Sequence, residues 1–149
     1  MSQYEIRLAS SRDAARVHAA LCRVEDVPAH APDVLSVSRD GDTSSWVLSF
    51  RGHPVRWTQR DHHDGLRGEF NQVDGDFVAL SGEWAVEPDG EGSTVAYRLS
   101  VRTSVPHLAG AIEPMVARAL SRAALSVAGP VRVLAGAAVL ADPVLSGRS

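Results

Sequence analysis

The sequence predicts an α+β fold in which a curved antiparallel sheet of about seven strands wraps one long helix near the C-terminus. Three observations predict it. From Val55 to Val101 apolar and polar residues alternate, with breaks rich in glycine and aspartate; alternation sends every second side chain to one face of a sheet. After Pro106 the period changes, and Ile112, Met115, Val116, Ala119, Leu120, Ala123, Ala124 and Val127 fall on one helical stripe. Between the first alternating run and the rest of the sheet lie two short helical segments, Ala14 to Arg23 and Glu25 to Ala31.

The elements follow in order. Tyr4 to Ala9 alternates and reads as the first strand. Ser10-Ser11-Arg12-Asp13 then offers hydroxyl and carboxylate groups suited to capping a helix. In that helix Val17, Ala20, Leu21 and Val24 share a face, and Pro32 closes the second short helix. Val34 to Arg39 and Ser44 to Phe50 read as a hairpin about Asp40-Gly41-Asp42, because glycine takes positive φ there without strain. Gly52-His53-Pro54 leads into the meander, whose turns are His63-Asp64-Gly65, Asp74-Gly75-Asp76 and Pro88 to Gly92. The last helix is expected over roughly Pro114 to Ala128. Pro114 suits a first turn beginning near Glu113, and Gly129-Pro130 stops the helix. Residues 1–130 then form one domain, and 131–149, apolar but carrying Gly136 and Pro143, form a partly ordered tail.

The meander has one oily face and one charged face. Val55, Trp57, Phe70, Leu80, Trp84, Val86, Val95, Tyr97, Leu99 and Val101 share one phase. Arg56, Arg60, Arg67, Glu69, Glu83, Glu87, Arg98 and Arg102 share the other. Gln59, Asp61 and Gln72 have the phase of the oily face, where polar groups are costly unless paired, hydrated or used. A curved sheet closed by one helix encloses space. Aromatic walls with a few inward polar groups make that space a pocket for a hydrophobic small molecule.

Composition narrows the classes. The chain has 149 residues, 44% hydrophobic and 22% charged, enough for one domain with a real core. A net charge of −3 gives no electrostatic case for nucleic acid. All 15 basic residues are arginine and only Ile6 and Ile112 are isoleucine, the mark of a GC-rich coding sequence. A single cysteine, Cys22, excludes an internal disulfide and fits a reducing cytoplasm. Neither a signal pattern nor a membrane-spanning run is present. A homodimer is compatible with the sequence.

Several segments, in this order of elements, resemble the START-like, helix-grip superfamily, and within it the bacterial polyketide cyclase/dehydrase (aromatase/cyclase) group. They are Val24-Glu25-Asp26-Val27-Pro28 before Ala31-Pro32-Asp33-Val34; Trp57-Thr58-Gln59-Arg60-Asp61; Phe70-Asn71-Gln72-Val73-Asp74-Gly75-Asp76-Phe77; Gly82-Glu83-Trp84; and Leu108-Ala109-Gly110-Ala111-Ile112-Glu113-Pro114. The resemblance covers Tyr4 to about Val127. It implies a cavity between the sheet and the last helix, with no cofactor. It also implies a polyketide-like ligand, delivered in aromatase/cyclases by an acyl carrier protein and closed there by aldol chemistry and loss of water. Those enzymes polarise ketones with arginine and hydroxyl groups and ordered water. Alignment through Trp57 puts Asp61 where such a cyclase has a cavity arginine, and Gln72 near another, so chemistry here would rest on a carboxylate and amides. The superfamily also holds coenzyme Q-binding proteins, lipid carriers and hormone receptors, and a shared fold does not fix activity. A carrier of an aromatic or isoprenoid molecule is therefore the rival expectation to an enzyme of secondary metabolism, and an interaction module with a vestigial cavity is a third.

Candidate residues follow. Asp61 could take a proton α to a ketone or deliver one to a leaving hydroxyl; as a strand-end residue it would simply be solvated. Gln59 and Gln72 could hold a carbonyl oxygen or pair with each other across strands. Trp57, Phe70, Trp84 and Tyr97 form pocket wall or core, and Tyr97 carries a phenol suited to a ligand or to a backbone carbonyl. Met115 faces them from the helix as an adaptable lid. Asp61-His62-His63-Asp64 suggests a metal cluster, but consecutive strand residues point to opposite sides, and no metal is expected. His30 and His107 flank the cavity mouth as possible bases. No nucleophile elbow and no phosphate-binding glycine loop is present.

Overall fold

The computed structural model describes residues 2–103 and 109–140. Among them, eight strands form one antiparallel sheet: β1 Ser2–Ser10, β2 Val34–Asp40, β3 Thr43–Phe50, β4 His53–Asp64, β5 Arg67–Gly75, β6 Phe77–Asp89, β7 Gly92–Thr103 and β8 Val131–Ala135. The order across the sheet is β2-β3-β4-β5-β6-β7-β1-β8. Helix α1 (Ala14–Cys22) and a 3-10 helix (Val24–Ala29) link β1 to β2, α2 (Ala109–Ala128) lies across the sheet, and a short α3 (Ala137–Leu140) follows β8.

The alternation produces this arrangement directly. Trp57, Phe70, Leu80, Trp84, Val86, Val95, Tyr97, Leu99 and Val101 are buried, and the eight charged residues of the opposite phase are exposed. The expected helical stripe is the buried face of α2, apart from Ile112, which is half-buried. Helix α1 starts as expected, with Asp13 accepting from the Arg16 amide at 2.9 Å. Register shifts in the pairs β2–β3, β4–β5, β6–β7 and β1–β8 bend the strands.

Three expectations need correction. β4 runs through Asp64, so His62 and His63 belong to the strand, and only Gly65 (φ 60°) and Leu66 are left to turn. α2 begins at Ala109, which puts Pro114 in the second turn. Tertiary contacts override the proline preference: Glu113 is buried and accepts from Ser2 Oγ of β1 and from the Thr103 amide of β7, at 3.0 Å for the latter, tying this end of the helix to the sheet. Burial works against the Glu113 charge, but those two hydrogen bonds, together with nearby positive charge that includes Arg102, outweigh it and hold the carboxyl below its usual range. Finally, residues 131–135 are no appendage. They add an edge strand beside β1, with Val131 and Val133 half-buried and packed against the core. Five residues are too few for a period to be read, and the bond partners lie in a distant strand. Residues 141–149 and His107 lie outside the described residues.

Candidate functional site

β3 and β4 build the polar part of the cavity wall. Ser44 and Trp46 share the inner face of β3, and Trp57, Gln59, Asp61 and His63 share that of β4. The pairing sets Trp46 opposite Trp57 and Ser44 opposite Gln59. The two indoles stack at 5.7 Å and 10°. Each indole N–H donates to the inner polar residue two places along its own strand: Trp46 Nε1 to Ser44 Oγ at 2.9 Å, and Trp57 Nε1 to Gln59 Oε1 at 2.8 Å. Both polar residues then donate to one carboxylate. Ser44 Oγ reaches Asp61 Oδ2 at 2.7 Å, and Gln59 Nε2 reaches Asp61 Oδ1 at 2.6 Å. Asp61 is thereby held through both oxygens, while each keeps a further lone pair for a ligand. Gln59 itself is 3% exposed, with both ends of its amide engaged.

The cavity lies between this wall and the helices. Phe70, Trp84 and Tyr97 extend the wall, and Leu120, Ala124 and Val127 of α2 face it. It encloses about 40 Å³, room for a few water-sized groups, whereas sites for drug-sized ligands span roughly 300–1,000 Å³. A ligand larger than a few atoms must spread the helices from the sheet. The Tyr97 phenol is 7% exposed, lines this space and has no hydrogen-bond partner among the described residues. Burial, then the charge of Asp61, pushes the phenol well above its usual range, so it stays a donor. Burial lowers His63 below the usual imidazole value, against the opposing pull of Asp61.

The structure brings Gln59, Asp61, Phe70, Trp84 and Tyr97 together on the cavity and leaves Trp57, Gln72 and Met115 off it. Trp57 lies behind Trp46 and edge-on to Phe77 at 5.6 Å. Gln72 clamps the β5–β6 turn: its Nε2 donates to Phe77 O at 2.9 Å and its Oε1 accepts from the Phe77 amide at 3.3 Å. The pairing steps from Asp74 to Gln72, leaving Val73 unpaired at the end of β5, so Gln72 sits at the turn and not over the cavity. Met115 is buried in the core nearer the start of α2. Gln59 supports Asp61 instead of offering a free donor to a carbonyl. Exposed His30 follows the 3-10 helix and does not line the cavity. Sequence reasoning misses Ser44, hidden in a Ser-rich strand, and meets His63 only as a turn residue and as a member of the rejected Asp61-His62-His63-Asp64 metal cluster. The Trp-x-Gln-x-Asp-x-His alternation at 57–63 contained the signal for His63.

Wider hollows, of about 590 and 440 Å³, lie on the charged outer face. Both include Arg98, which pairs with Glu5 at 3.6 Å and Glu83 at 3.5 Å. They are open troughs of a twisted sheet, and exposed ion pairs of this kind contribute little. The buried convergence of polar groups is on the other side. No group of metal-ligating residues occurs among the described residues, and no helix among them is long and apolar enough to cross a membrane.

A family model described as polyketide cyclase / dehydrase and lipid transport matches residues 10–127. No curated protein matches the sequence. Among solved structures, TTHA0849 from Thermus thermophilus is similar, with 24% identity and a TM-score of 0.73 over 85% of this chain and 94% of that one. A START superfamily protein from Mycobacterium smegmatis has 13% identity and a TM-score of 0.73 over the same shares, 85% and 94%. The Zhui aromatase/cyclase from Streptomyces sp. R1128 has 18% identity and a TM-score of 0.68 over 86% of this chain and 92% of that one. At these identities the structures share the fold.

Proposed function

We propose, for a chain that belongs to the polyketide cyclase/dehydrase and lipid transport family, that the cavity promotes cyclisation or dehydration of a small polyketide-like ketone. The observation that carries this reading is the pairing of a carboxylate fixed at both oxygens with a phenol that has no partner among the described residues, on one cavity wall. Asp61 takes the proton α to a carbonyl. The Tyr97 hydroxyl donates to that carbonyl's oxygen, where negative charge builds as the enolate forms. Ser44 and Gln59, steadied by the two indoles, spare Asp61 the reorientation that a free carboxylate would need. The substrate arrives as a thioester, on an acyl carrier protein or on a small thiol. Its entry widens the cavity at the face of α2.

A carrier would need only an apolar cavity with polar groups at its mouth. Here Gln59 and Tyr97 are buried deep in the wall, which favours catalysis. The test is turnover and binding of a poly-β-ketone thioester by wild type and Asp61→Asn. Turnover should fall by about a hundredfold to ten-thousandfold in the variant with binding retained. Undiminished turnover would remove Asp61 from the mechanism. Tight binding of cyclised product by a wild type that turns nothing over would establish the carrier.

A further inference from the structure

We propose that His63 is a second proton-carrying residue of this cavity, passing the proton held by Asp61 to the oxygen of the substrate's second carbonyl. The inference rests on the reading of the cavity as a cyclase site. With Ser44 on one oxygen and Gln59 on the other, the carboxylate can receive a proton where it stands but cannot swing to deliver it elsewhere. Ring closure removes a proton from carbon and returns one to oxygen, so a second group must complete the transfer.

His63 has the position for it. It follows Asp61 by two residues on β4, so both side chains leave the same face, and both line the cavity. Its ring is held among others, 5.8 Å from Trp84 of β6 and edge-on to His18 of α1 at 6.3 Å. The charged and titratable groups acting on it are Asp61 and His62 of its own strand, His18 from α1 and Arg39 from β2, and Tyr97 shares the cavity from β7. Of the ionised groups, Asp61 alone favours the imidazolium. Burial, His18, Arg39 and His62 favour the neutral ring, and the net shift is downward from 6.5.

Neutrality matters for the chemistry. A neutral imidazole has one N–H and one bare nitrogen, so it can give a proton from one side while taking one on the other. An imidazolium cannot accept. In the aldol step the α C–H bond breaks and its proton goes to Asp61. The released electron pair forms the C–C bond to the second carbonyl carbon, and the π pair of that carbonyl moves to its oxygen. The oxygen takes the N–H proton of His63 while the other ring nitrogen takes the proton from Asp61. The product is a β-hydroxyketone. Asp61 is again a carboxylate, and His63 is again neutral, in its other tautomer.

The experiment combines kinetics with a substrate-free titration. In wild type, turnover of a poly-β-ketone thioester should fall as pH drops through the His63 transition, below the ordinary imidazole value of about 6.5. His63→Gln should bind the thioester and melt as wild type does, lose about a hundredfold in kcat and lack that acid limb. In the NMR titration, Asp61→Asn should move the His63 transition still lower, because the one charge favouring the imidazolium is gone. Undiminished kcat in His63→Gln, with Asp61→Asn inactive, overturns this inference and leaves the Asp61 reading standing. An unmoved His63 transition in Asp61→Asn also overturns it, and needs neither substrate nor a stable His63 variant. A wild type without turnover overturns both.

Discussion

Trp46 and Trp57 on β3–β4, and Phe70 and Trp84 on β5–β6, come from one kind of sequence signal, an aromatic residue at the inward phase of an alternating strand. They end in different roles. Trp46 and Trp57 face each other across the pairing, and each has an inward polar residue two places away that its indole N–H can reach. Phe70 and Trp84 each face a glycine instead: the register sets Phe70 against Gly82 and Gly68 against Trp84. A Cβ on Gly68 would run into the Trp84 indole, and one on Gly82 into the Phe70 ring. So each ring lies down over the neighbouring strand's backbone and becomes smooth apolar wall. Whether an inward aromatic anchors chemistry or covers backbone is thus decided by the residues beside and opposite it. One half of the sheet orients a carboxylate, and the other half shapes the space in front of it.

The largest effect is expected at the glycines. Gly82→Val should cost about 3 kcal/mol, because the backbone there is ordinary strand and the whole penalty is steric. A shift of the urea midpoint at constant slope measures it, and a variant as stable as wild type would show that Phe70 can stand away from the sheet. Next in size is Trp57→Phe, which leaves the buried Gln59 Oε1 without its donor and should cost about 1–3 kcal/mol. The loosened amide should also lower turnover, whereas Gly82→Val should act mainly on stability. Equal kcat in wild type and Trp57→Phe would mean that Asp61 does not depend on this support. Gln72→Leu should cost about 1–2 kcal/mol through the two lost bonds to Phe77 and leave kcat unchanged. A kcat loss matching that of Gln59→Leu would put Gln72 back at the site.

The smallest effect lies away from all four rings, near the start of α2. The Glu113 carboxyl is held below its usual 4.5 in the fold. The unfolded chain therefore takes up that proton first as pH falls. The stability contributed by Glu113 is complete above the unfolded value and is lost as pH drops through the folded one. Melting midpoints of wild type and Glu113→Gln should converge in acid and separate above about pH 4.5. Parallel curves would show that the buried carboxyl contributes no pH-dependent stability.

The fold was legible because its signals are local and repeated. Period two over four consecutive strands and a change to a helical stripe leave few arrangements, and burial of one complete face in a curved sheet requires something to cover it. The inward phase of Gln59 and Asp61 came from the same reading. β8 was not legible, since five residues carry no period, and its only partner among the described residues, β1, is more than a hundred residues earlier in sequence.

The site was half legible. Phase says which face a side chain leaves from, and sequence alone determined that Gln59, Asp61 and the aromatics of β4–β7 share one. It could not determine which inward polar groups are already consumed. Gln59 and Gln72 are direct partners across β4–β5 and look alike in sequence. One is spent orienting Asp61 and the other is spent on the Phe77 backbone, because a single unpaired residue at the end of β5 and the turn that follows decide what each amide can reach. The partner of Ser44 and the Tyr97 phenol, without a hydrogen-bond partner among the described residues, were likewise decided only in the folded chain. Hydrogen bonds and packing are relations between distant residues, and a sequence states their capacity to form without stating which of them closes.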